Sequence, residues 1–149
     1  MLCLERLAPH DPRFPLSGPE LAEIFDGLTA LFGLAAEEVS LRIVDDREMA
    51  GLNSRFMHCL GPTNILSFPT HEPGLLGDLV LSAETLARET FLYNQDPYDY
   101  TMRLLAHGLL HLAGYDHGPE MDALTEQAVS TLGSGDLTRK ALSLKRSTA

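Results

Sequence analysis

The chain has 149 residues, 44% of them hydrophobic and 21% charged, with a formal net charge of −10. That length and balance suit one globular domain with a sizeable core and argue against a disordered or multidomain chain. No stretch approaches the roughly 20 apolar residues of a membrane span, and no internal repeat or low-complexity tract interrupts the sequence.

The charge is unevenly spread. Residues 1–133 hold 7 basic and 20 acidic side chains, whereas residues 134–149 hold 4 basic and 1 acidic. Nucleic-acid binding leans on phosphate neutralisation, so the acidic body disfavours broad non-specific affinity and leaves only local positive sites. The division expected is a domain over 1–133 followed by a basic, flexible tail over 134–149. Cys3 and Cys59 lack metal-like spacing, and no basic segment followed by an apolar run opens the chain, which points to a reducing cytoplasm.

In chain order, Leu21, Ile24, Phe25, Leu28, Leu31 and Phe32 recur at helical spacing between Pro19 and Gly33, the pattern of an amphipathic helix. Val39, Leu41 and Ile43 alternate with Ser40 and Arg42, which reads as a strand. Asp45 with Glu48 resembles a capping box ahead of a second helix whose apolar stripe is Met49, Leu52 and Phe56. Pro62 and Pro69 bracket a short strand at Asn64–Phe68, and Leu79–Leu81 reads as another strand. Ser82 caps a third helix running to about Tyr93. Asp96, Pro97 and Gly114 delimit a fourth, with Tyr98, Met102, Leu105, Leu109 and Leu112 as its buried stripe. A last helix spans Pro119 to Leu132, with Met121, Leu124, Ala128 and Leu132 on one face. Helices alternating with strands favour a mixed or partly parallel sheet with helices packed on it.

The fourth helix ends in HGLLHLAGYDH, residues 107–117, which holds three of the six histidines. His107 and His111, four apart, share one helix face, and a reversal after Gly114 brings His117 toward them. Three neutral imidazoles on one point suit a borderline-soft divalent ion, with Zn²⁺ the usual occupant and nickel or another divalent metal compatible. A structural zinc normally has four protein ligands; three leave a place for water or substrate and so imply catalysis. His10, His58 and His71 lack such an arrangement and read as surface or loop histidines, although His58 and His71 flank the Pro62–Pro69 segment and so have access to a cleft there.

The spacing matches H-E-x-x-H-x-x-G-x-x-H of the metzincin proteases at every fixed place except the second, where Gly108 stands instead of the general-base glutamate. Peptide hydrolysis by that route is therefore disfavoured. Asp116, beside the last histidine, is a candidate acid/base or a partner that orients an imidazole.

Taken with PTNILSFP at Pro62–Pro69 and LGDL at Leu76–Leu79, the histidine motif resembles those of the YbeY endoribonucleases, also called rRNA maturation factors, and the three motifs occur in the family order. The resemblance implies a single-domain α+β fold with the three-histidine metal site at the end of a long helix. It implies a metal-dependent, single-strand-directed endoribonuclease acting in small-subunit (16S) rRNA maturation and ribosome quality control, with the small ribosomal subunit and the GTPase Era as partners. Asn64 and Ser67 match motif positions and are candidate substrate contacts. Where the family carries an arginine, within L-N-x-x-[YF]-R, this chain has Met57. Arg55 lies about 200° away around a helix, so it is a candidate for the phosphate or transition-state charge role only where the local backbone departs from a regular helix. The alternative is a weakly active or non-catalytic zinc-binding ribosome assembly factor.

Overall fold

The computed structural model describes residues 2–6 (backbone only), 14 and 16–133. Nine elements follow one another: β1 (Leu2–Arg6), α1 (Gly18–Leu31), β2 (Glu38–Val44), α2 (Asp46–Met57), β3 (Ile65–Pro69), β4 (Leu75–Ser82), α3 (Ala83–Leu92), α4 (Pro97–Leu112) and α5 (Pro119–Leu132). The expected elements all form. β1 is an addition that periodicity did not supply, and residues 134–149 and His10 lie outside the described residues.

The four strands lie in the order β1-β2-β4-β3. β1 and β4 both run parallel to β2, and β3 pairs antiparallel with β4, which makes β3 an edge strand. Alternation along the strands sorts the sheet into two faces. Val39, Leu41, Ile43, Leu79 and Leu81 join the main core with α1, α3 and α4. Val44, Leu66 and Val80 form a smaller cluster with Met49 of α2 on the opposite face.

Local chemistry fixes the helix ends. Ser17 and Glu20 make a reciprocal capping box at α1, while the box expected at Asp45 reduces to one bond, Glu48 N–H to Asp45 Oδ1 at 2.8 Å. Asp96 accepts from the Asp99 N–H, and Pro97 occupies the first turn of α4. Every residue of the expected α4 stripe is buried, as are Thr101, Leu104, Ala106, Gly108 and Leu110. The helix is thus enclosed on most of its circumference, and a Leu105→Ala change is expected to cost about 2–5 kcal/mol. The α2 stripe departs from expectation at its end: Met49 is fully buried, but Phe56 is 50% exposed. The Phe56 ring still packs edge-on against Phe68 of β3, with centroids 5.4 Å apart, so the last turn of α2 covers its sheet face only partly.

Candidate metal centre

Three features deliver the histidines to one place. α4 holds His107 and His111 one turn apart; the chain leaves the helix through Ala113 and turns at Gly114, whose φ of 100° is open to glycine but strained for other residues. His117 follows three residues later, just before α5. The ring centroids are 4.9 Å apart for His107 and His111, 5.0 Å for His107 and His117, and 4.5 Å for His111 and His117.

One nitrogen from each ring lies within 4.8 Å of the others, so the group can hold a metal ion. Atoms at that spacing share a centre within about 2.8 Å of each, and small rotamer changes reach the roughly 2.0–2.1 Å of a zinc–imidazole bond. Burial, followed by the neighbouring His111 and His117, lowers the pKa of His107 despite an opposing pull from Asp122. The neutral form, which is the ligating form, is favoured.

Gly108 explains the missing glutamate of the protease-like pattern. A Cβ there would lie 2.8 Å from Leu79 Cδ2 and 3.0 Å from Ile65 Cδ1, so the helix rests directly on β3 and β4. Ser67 Oγ donates to the Gly108 carbonyl at 3.4 Å, tying the edge strand to the residue that follows His107. Neither local periodicity nor the motif spacing carries that contact across 41 residues.

The remaining candidates are placed as follows. Asp116 is exposed on the turn before His117 and is not a member of the histidine group. Asn64 Oδ1 accepts from the Ile65 N–H at 2.7 Å, and the Asn64 carbonyl accepts from the Ser82 N–H at 3.0 Å, so Asn64 starts β3. Nearby, Tyr100 O–H donates to Glu89 Oε2 at 2.7 Å; burial, then the Glu89 carboxylate, pushes the Tyr100 pKa well above its usual range. His58 and His71 are exposed.

Arg55 is not brought to the histidines. It lines a groove of about 470 Å³ on the opposite face of the sheet, with Arg42, Phe56, Phe68 and Asp78. Its guanidinium lies 5.2 Å from the Phe56 ring centroid. Met57 ends α2 at 48% exposure, and His58 caps the helix with φ 55°. The following loop is held by buried Asn53, whose Nδ2 donates to the Gly61 carbonyl at 3.0 Å. Sequence reading missed Asn53 and Arg42; the signal for Arg42 was its place on the non-core face of an alternating strand.

An α+β domain with three histidines gathered at the end of a buried helix and turn is therefore the class to which fold and site point. The profile of the family described as Endoribonuclease YbeY matches residues 20–132, and the chain belongs to that family. A protein named Endoribonuclease YbeY from Nitratidesulfovibrio vulgaris is 42% identical over 84% of this chain and 93% of its own length. Its namesake from Oleidesulfovibrio alaskensis is also 42% identical, over 76% of this chain and 81% of the relative. A solution structure from Thermotoga maritima shares the fold at a TM-score of 0.67 and 21% identity, covering 94% of this chain and 93% of that one.

Proposed function

We propose that this protein is a zinc-dependent endoribonuclease that cuts single-stranded RNA, with small-subunit (16S) ribosomal RNA as its substrate during maturation and quality control. The observation that carries the reading is the convergence of His107, His111 and His117 on one point in a chain whose relatives are named endoribonucleases. A divalent cation held there supplies Lewis acidity toward a phosphoryl oxygen and lowers the pKa of water to near ~7. His107, His111 and His117 are its ligands; nickel or another divalent ion suits the same donors. Asp116, exposed beside His117, is the nearest carboxylate in sequence for moving the proton of the attacking water.

Substrate contacts fall to Asn64 and Ser67, on the strand against which Gly108 packs. The groove with Arg42, Arg55, Phe56 and Phe68 offers cations and aromatic faces to flanking nucleotides, as single-strand sites commonly do. The family resemblance brings with it the small ribosomal subunit and the GTPase Era as partners, and the cytoplasm as the place of action. Among the described residues, no helix is long and apolar enough to cross a membrane.

The second reading, a weakly active or non-catalytic zinc-binding assembly factor, is favoured by Met57, an exposed thioether at the family's arginine position. Cleavage of single-stranded rRNA by the purified protein separates the two. Endonuclease activity lost on chelation and in His111→Ala supports the enzyme. Absence of cleavage with zinc bound supports the assembly factor, and cleavage surviving both treatments contradicts the metal-dependent mechanism.

A further inference from the structure

Beside the histidines, β3 presents an unpaired edge. Its ladder to β4 uses alternate residues: the Ser82 N–H donates to the Asn64 carbonyl at 3.0 Å and the Thr70 N–H to the Leu76 carbonyl at 3.3 Å. The registers Leu66↔Val80 and Phe68↔Asp78 fall in the same phase, so the main-chain groups of Ile65, Ser67 and Pro69 point away from the sheet. The Ile65 N–H is taken by Asn64 Oδ1, and Pro69 has no N–H. Among the described residues of this edge, the Ser67 N–H is the donor left open.

That donor lies on the histidine side of α4. At 100° per residue, His111 and His107 are about 60° and 100° to one side of Gly108, while Leu105 and Leu109 are about 60° and 100° to the other. Leu105 and Leu109 are fully buried in the core, and Gly108 faces Leu79, Ile65 and Ser67. The histidine flank therefore opens past β3 rather than into the molecule. Tyr100, on the same flank of the helix, has Asn64 at the head of β3 among its electrostatic neighbours.

We infer that the Ser67 main-chain N–H is a substrate-binding donor that holds a non-bridging phosphoryl oxygen of the RNA next to the three-histidine centre. This rests on the endoribonuclease reading. An open edge N–H is fixed by its strand and needs no side-chain ordering, so it is a preorganised anion donor. The outward Ile65 and Ser67 carbonyls beside it accept hydrogen bonds from ribose hydroxyls or base amino groups. Ser67 Oγ is engaged with Gly108, so the side chain anchors the strand while the peptide binds.

The test uses the zinc-loaded full chain and inorganic phosphate as the probe. In amide NMR, the Ser67 proton is expected to move downfield on titration, more than those of ladder-bonded Leu66 and Phe68. Replacing Ser67 by its α-hydroxy analogue, which turns the amide into an ester without a proline ring, is expected to weaken phosphate binding about tenfold. Ser67→Ala keeps the N–H but removes the hydroxyl bonded to Gly108, so a shift that persists assigns the binding to the main chain and a shift that disappears overturns the inference. A stationary Ser67 amide at saturation, no phosphate binding, or an ester variant that binds equally well overturns the inference. RNA cleavage with an unmoved amide would leave the endoribonuclease reading standing and remove this donor; a moving amide without cleavage would do the reverse.

Discussion

Gly108 joins sheet and site at the level of one residue. Any Cβ at that position meets Leu79 and Ile65, so Gly108→Glu forces a carboxylate into an apolar contact. It is expected to destabilise the fold by about 1–3 kcal/mol, read by denaturant unfolding, without producing peptidase activity. Wild-type stability in that variant would contradict the close helix–strand approach. At the end of α2, Met57→Arg places a guanidinium at the position to which the family resemblance assigns an arginine. It is expected to raise kcat/KM on single-stranded RNA about tenfold, and an unchanged value would remove the missing cation as the limit on activity. The histidines were legible because helical spacing is itself geometry: two ligands four apart must share a face. Ser67 was legible only as a motif member, since its partner is a carbonyl 41 residues away.

At the scale of elements, the junction of α2 with α3 is held by Asp46. Its carboxylate accepts from Ser82 Oγ at 2.7 Å, Thr85 Oγ1 at 2.6 Å and Arg88 at 3.0 Å. Burial alone would raise its pKa, but hydrogen bonds from Thr85, Ser82 and Arg88, with the Arg88 charge, hold it below the usual 3.8. A carboxyl depressed in the folded state contributes stability that is full above its unfolded pKa and is lost as pH falls through the lowered value. Asp46→Ala is therefore expected to cost about 1–3 kcal/mol at neutral pH and progressively less toward acid. A cost that stays constant down to pH 3 or below would contradict the charged network. Local pattern gave the helices and three strands because capping residues and apolar periods are local. It did not give β1, whose place depends on pairing with β2 across α1, nor the exposure of Phe56, which depends on how far α2 extends over the sheet.

The whole molecule sets a short edge strand, a buried helix and a histidine-bearing turn side by side within a chain of net charge −10. On the endoribonuclease reading, RNA affinity would come from few cations, so the salt dependence of binding is expected to be shallow, about −0.7 per phosphate neutralised. Removing residues 134–149, which carry 4 of the 11 basic side chains, is expected to weaken RNA binding and flatten that slope further. Unaltered binding would exclude the tail from the interface. The mixed sheet and the metal-site class could be read before any coordinates, because alternation and histidine spacing encode them. The opposition of the histidine centre and the Arg42/Arg55 groove on two faces of one sheet could not, because it follows from strand order.

Metal stoichiometry by atomic emission, on protein purified without added metal and then titrated with zinc, tests the central claim most directly. One ion per chain is expected in the wild type, with near-complete loss in His107→Ala, His111→Ala and His117→Ala variants that remain folded by circular dichroism. A wild type that takes up no ion, or any of these variants that retains a full equivalent, would contradict a centre built from those three imidazoles.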